Sequence, residues 1–161
     1  MIVVSNSSVL IALSTIQKLD LLKENFKKVY IPEAVWNEVV VRGEGEPGCQ
    51  EVKNAGWIET KKIKNVNLVS AFDESLDKGE AEAITLALEL SADLILLDEK
   101  DARLIAEKYK LKPLGTVGIL VLAKKKNNID NLKSELDKLI NEGNFRISKD
   151  IYLRALKETG E

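Results

Sequence analysis

The chain opens MIVVSNSSVL, an apolar run that stops at Ser5-Asn6-Ser7-Ser8 before apolar residues resume. Ile2 to Val4 therefore predict a short buried strand that breaks into a turn. Helical spacing of apolar positions follows, through Val9 to Leu13 and then through Leu19 to Phe26 in LDLLKENF. Val29-Tyr30-Ile31 reads as a second strand, closed by Pro32. That proline suits the first turn of a helix over PEAVWNEVVV, with Ala34, Val35 and Val39 on its buried side. Gly43, Gly45, Pro47 and Gly48 mark the loosest segment, too short for a linker between domains.

Beyond it come helical CQEVKNAG, strand-like WIETKKI and a less decided stretch around VNLVSAF. The strongest block is DKGEAEAITLALELSADLILLDEKDARLIAEKYKL. It predicts a helix from about Glu80 to Glu89, a strand at Leu94–Leu97 and another helix from about Lys100. Lys112-Pro113-Leu114 predicts one more short strand, with GTVGILVLAKKK as the helix after it. IDNLKSELDKLINEG and SKDIYLRALKE read as two amphipathic helices. Strands alternating with helices predict an α/β protein, a three-layer α/β/α sandwich around a mostly parallel sheet. Residues 1–161 are expected to form a single domain, with the C-terminal helices from about 130 packed on or beside it.

Composition narrows the chemistry. Hydrophobic content of 45% and charged content of 31% suit a soluble globular protein, and no apolar run approaches the roughly 20 residues of a membrane span. One cysteine leaves no internal disulfide framework, so a cytoplasmic setting is expected. A net charge of −2 makes the whole molecule no electrostatic magnet for nucleic acid, although local patches still act. The decisive count is zero histidines, which removes a histidine general base and histidine-rich zinc or iron sites. If the chain does hydrolytic chemistry, carboxylates must carry it, with or without a hard metal ion.

In a parallel sheet, functional groups gather where the chain leaves the carboxyl ends of strands. Asn6 stands there after the first strand, and Asp98 directly after LILL on a later one. Glu38 lies on the helix after the second strand, and Glu80 begins the helix before LILL. Three acids and one amide would form an oxygen-only pocket suited to Mg²⁺ or Mn²⁺. Each residue also has an ordinary structural use. Asp98 and Glu80 suit helix caps, Glu38 a solvated helix face, and Asn6 a turn or an N-cap.

At these residues the chain resembles the PIN-domain ribonucleases found as toxins in bacterial and archaeal toxin–antitoxin pairs of the VapC type. The resemblance runs from VSNSSVLIAL through IPEAVWNEV and DKGEAEAITLALELSADLILLDEKDARLIA to GTVGILVLAKKK. It implies a PIN-like fold and metal-dependent hydrolysis of RNA phosphodiester bonds, with Mg²⁺ or Mn²⁺ held by Asp98, Glu80, Glu38 and Asn6. Asp101 is a reserve ligand, and Ser5, Ser8 and Thr116 are hydroxyl candidates for a metal water or a phosphate, each equally suited to a cap or turn. Glu82, two residues from Glu80, should face elsewhere and reads as solvated. The resemblance also implies a small antitoxin partner and a homodimer.

The departure is Asn6, where most PIN nucleases carry Asp. An amide oxygen ligates a hard cation without contributing charge, so weaker metal binding is expected. This keeps a second function open, a catalytically weak or inactive PIN-fold module that binds RNA or a protein partner. A phosphotransfer role for Asp98 is weaker still, because no Asp-x-Asp pair follows the first strand. Cations for substrate contact are sought at Lys61, Lys62 and Lys64 and at Lys124 to Lys126, where helix-dipole and surface roles compete.

Overall fold

A computed structural model describes residues 1–161. Five strands form one sheet: β1 (Val3–Ser5), β2 (Val29–Pro32), β3 (Ile58–Lys61), β4 (Leu94–Leu96) and β5 (Pro113–Leu114). Their order is β3-β2-β1-β4-β5, and all four neighbouring pairs are parallel. The order reverses direction between β1 and β4, which is where a parallel sheet opens a crevice at its carboxyl edge. Ten α-helices complete the fold: α1 (Ser7–Thr15), α2 (Asp20–Phe26), α3 (Glu33–Trp36), α4 (Cys49–Asn54), α5 (Val66–Phe72), α6 (Lys78–Glu89), α7 (Lys100–Lys108), α8 (Thr116–Lys125), α9 (Leu132–Gly143) and α10 (Lys149–Glu158).

Side chains alternate across the sheet, as the two-residue period of a strand requires. Val3, Val29, Ile31 and Leu96 face one core, which they share with α1, α2, α8, α9 and α10. Val4, Ile95 and Leu97 face the other, against α5, α6 and α7. Both faces are thus covered, giving the α/β/α sandwich, and the strands read as continuous apolar runs because neither face meets water. The undecided stretch VNLVSAF is helix α5, begun by Asn65, whose side chain accepts from the Leu68 N–H at 3.1 Å. Its Val69 and Phe72 enter the second core.

One departure from the predicted helices bears on the site. PEAVWNEVVV is not a uniform α-helix: α3 ends at Trp36, and Asn37–Val41 continue as a wider π-helical turn. The Arg42 N–H reaches back five residues to the Asn37 carbonyl at 2.7 Å. Apolar spacing over a stretch this short cannot distinguish a single π-helical turn from a regular α-helix.

Leu96 is fully buried and sits on the strand at the switch in strand order. Leu96→Ala is expected to cost about 2–5 kcal/mol of unfolding free energy. Chemical denaturation followed by circular dichroism would measure the loss.

Candidate functional site

The β1–β4 register places the first two candidates together. Ser5 pairs with Leu96, and the Asn6 N–H extends the ladder by donating to the Leu96 carbonyl at 3.2 Å. Asn6 and Asp98 therefore leave adjacent strands at the same edge. Asn6 is almost wholly buried and caps α1, its Oδ1 accepting from the Val9 N–H at 3.2 Å. The Ser5 hydroxyl is buried as well and donates to the Asn6 carbonyl at 3.0 Å.

Asp98 is gripped by Thr116 at the start of α8. The Thr116 N–H donates to Oδ1 and its hydroxyl to Oδ2, both at 2.7 Å. Gly115 permits this approach, since a Cβ there would lie 2.9 Å from both Asp98 Oδ1 and Arg103 Nη1. Burial pushes the Asp98 carboxyl above its ordinary range, and it outweighs the opposing Thr116 hydrogen bonds and the charge of Arg103.

Glu38 and Glu80 form a second group. Glu38 projects from the π-helical turn, accepts from the Ser7 hydroxyl at 2.9 Å and packs over Gly79 of α6. A side chain at position 79 would collide with Glu38 Oε1, so only glycine allows this contact. Glu80 closes a reciprocal capping box with Asp77: its N–H donates to Asp77 Oδ1 at 2.8 Å, and the Asp77 N–H donates to Glu80 Oε1 at 3.3 Å. Burial raises both glutamates, and the Asp77 carboxylate raises each further. Glu80 is pushed up to about 7.

The remaining candidates lie further out. Asp101 is exposed on the first turn of α7, and Ser8 is exposed in a cleft that Asp98 also lines. Glu82 is not solvated, contrary to the expectation from its spacing. It is buried, and its Oε1 accepts from the Ala34 N–H at 3.1 Å, satisfying an amide at the start of α3. Residues two apart do diverge on a helix, but the face Glu82 takes is covered by α3.

Sequence reasoning missed several neighbours. Asp77 was legible in the D-x-x-E spacing of DKGE, the signature of a capping box. Ser7, Gly79, Gly115 and Arg103 carried no local signal, because their roles arise from contacts between distant segments. The lysines sort by position. Lys124 pairs with Glu161 at 3.5 Å and Lys125 with Glu158 at 2.6 Å, so both fasten the chain's last residues at the far end of α8 from Asp98. Lys61 lies near Glu59 and over the Tyr30 ring. Lys62, with Arg42 and Lys78, lines a cleft of about 720 Å³ on the Glu38 side.

No three acidic, histidine or cysteine side chains converge on one point. Glu38 and Glu80 share Asp77 as a charged neighbour, Glu80 also feels Glu99 next to Asp98, and Asp98 is held by Thr116. Their donor chemistry nonetheless fits a hard cation. They are oxygen ligands, raised by burial, and neither Glu38 nor Glu80 has an ion-pair partner.

The raised Glu80 has a stability consequence. Its folded form favours the neutral acid, so the contribution is complete below the unfolded value of about 4.5 and is lost as pH rises through about 7. Glu80→Gln keeps the cap geometry and removes the charge. The variant should be more stable than the parent by about 1–2 kcal/mol above pH 7, with partial solvent contact reducing the full linkage value. The gap should close below pH 4.5, which metal-free thermal melts across pH would follow.

Comparison with known proteins adds one match. The family described as DUF3368: PIN domain matches residues 2–161. Neither a curated protein nor a solved structure gives a match. With the family covering nearly the whole chain, and with the parallel sheet and carboxylates at its carboxyl edge already described, the protein belongs to this PIN-domain family.

Proposed function

We propose that the protein is a Mg²⁺- or Mn²⁺-dependent ribonuclease, hydrolysing RNA phosphodiester bonds at the carboxyl edge of β1 and β4. The observation that carries this reading is the set of three part-buried carboxylates, Glu38, Glu80 and Asp98, all raised by burial at that edge. Burying uncompensated carboxylates is costly unless a cation neutralises them. PIN-domain membership supports nuclease chemistry.

In this reading Asp98, Glu80 and Glu38 hold the ion, with Asn6 offering its amide oxygen and Asp101 in reserve. A bound divalent ion supplies a water of lowered pKa and neutralises charge on the attacked phosphate. Thr116 orients Asp98 through both carboxylate oxygens, and Ser7 orients Glu38. Glu80, pushed up to about 7 by burial and by Asp77, would be a metal ligand only in its ionised form, so its carboxyl proton competes with a cation for this oxygen site. Asn6 gives up one negative charge relative to Asp, and its Oδ1 is already engaged by the Val9 N–H. Metal affinity is accordingly weaker than an all-carboxylate site would have.

We assign the nuclease a toxin role, with a small antitoxin and a second copy of the chain as partners. Exposed Leu104, Ile151 and Leu153 provide apolar surface for such contacts. No helix is long and apolar enough to cross a membrane. A second reading, a PIN-fold module with little or no catalysis, is favoured by the lack of three converging acids and by Asn6 acting as a cap.

RNA cleavage assays in Mn²⁺ separate the two. The nuclease reading expects cleavage that a chelator abolishes and that Asp98→Asn reduces by about two orders of magnitude or more. Asn6→Asp keeps the cap and should lower the Mn²⁺ concentration needed for half-maximal activity. Absence of saturable Mn²⁺ binding at millimolar concentration, with no gain from Asn6→Asp, would establish the module instead.

A further inference from the structure

The cleft that reaches Asp98 is built partly by a segment outside the alternating strand–helix pattern. It encloses about 560 Å³, and its walls include Ser8 of α1, Arg103 of α7 and the connection between α9 and α10. That size falls within the range of small-ligand sites, enough for a nucleotide-sized stretch of a strand.

The α9–α10 connection is held in a defined path. Asn144 takes the left-handed conformation that ends α9, with φ at 49°, and the Phe145 N–H donates to the Leu139 carbonyl at 3.0 Å. Phe145 and Ile147 both pack against the larger core, while Arg146 between them is exposed and lines the cleft. Phe145 and Ile147 thus anchor the backbone on either side of Arg146, whose side chain stays exposed.

Arg103 reaches the same cleft from a different element, α7. Its Nη1 and Asp98 Oδ1 face the same space above Gly115. Asp98 is already bonded through both oxygens by Thr116, and the chain's ion pairs include neither Arg103 nor Arg146. Two guanidinium groups with unspent donors therefore border one crevice beside a candidate catalytic carboxylate. A planar guanidinium fork matches the paired oxygens of a phosphate.

We infer that Arg103 and Arg146 form a two-sided clamp for the phosphate backbone of a single RNA strand, with the α9–α10 connection as its outer wall. This deepens the ribonuclease reading and rests on it for the identity of the ligand. The clamp seats a phosphate next to the bond presented to Asp98, so it governs binding and register of the strand. The ion-binding residues remain those already named.

The test is binding of a fluorescently labelled single-stranded RNA oligonucleotide, in chelator, across a series of salt concentrations. Arg103→Ala and Arg146→Ala are each expected to reduce the salt slope by about 0.7, the value for one lost phosphate contact on a single strand. Affinity at 0.1 M salt should fall roughly three- to tenfold for each. Arg146→Lys should keep the parental slope, Lys53→Ala on α4 should change nothing, and Arg146→Ala should melt with the parent. Parental slope and affinity in both alanine variants would overturn the clamp, as would a parent that does not bind the strand. Cleavage in Mn²⁺, measured in parallel, keeps the two readings apart. A parent that binds through the arginines and never cleaves leaves the clamp standing and removes the nuclease; a cleaving parent with indifferent variants does the reverse.

Discussion

The pairing of β1 with β4 is the constraint on which the rest of the carboxyl edge depends. Ser5 lies opposite Leu96, and the next hydrogen bond, from the Asn6 N–H to the Leu96 carbonyl, carries the ladder one residue past the strand. A slip of one residue would exchange the two faces of β1 and send Val3 and Val4 to the wrong cores. Because both faces are buried, that slip is strongly disfavoured, and Asn6 and Asp98 are held side by side as a consequence of core packing.

Burial then shapes the electrostatics of the edge. Glu38, Glu80 and Asp98 are each displaced upward by loss of solvent, and each accepts hydrogen bonds from neutral or backbone donors, Ser7, the Asp77 N–H and Thr116, while Arg42 and Arg103 act on Glu38 and Asp98 without forming ion pairs. Such an arrangement orients carboxylates without neutralising them, leaving their charge available to a cation. Two glycines make the approach geometrically possible, Gly79 beneath Glu38 and Gly115 beside Asp98. The π-helical turn Asn37–Val41 carries Glu38 in its first turn. Glu80 sits on α6, which packs against both β1 and β4, and it feels the charges of Asp77 on one side and of Glu99, next to Asp98, on the other.

The last third of the chain does more than cover the sheet. α8 begins with the residue that holds Asp98, and α9 and α10 close the larger core against α1 and α8. Lys124 and Lys125 then tie the end of α8 to Glu161 and Glu158. With the C-terminal helices seated in this way, the segment joining α9 to α10 lies along the Asp98 cleft and presents Arg146 to it.

The sequence by itself determined the alternation of strands and helices, because apolar periodicity and turn chemistry are local properties that packing reinforces here. It also determined what the chemistry lacks, since a chain without histidine must rely on its carboxylates. The residues after β1 and β4 were legible for the same reason, as polar side chains following apolar runs. Asp77 was half legible, its spacing to Glu80 being visible while its approach to Glu38 was not. Tertiary structure alone decided that Glu82 is buried under α3, that Ser7 meets Glu38 across 31 residues, and that Arg103 and Arg146 face one cleft. These outcomes depend on which helix covers which face and how closely the side chains of Glu38, Asp98 and Arg103 approach Gly79 and Gly115. Such distances are set only when the two cores close, and no local pattern of residues encodes them.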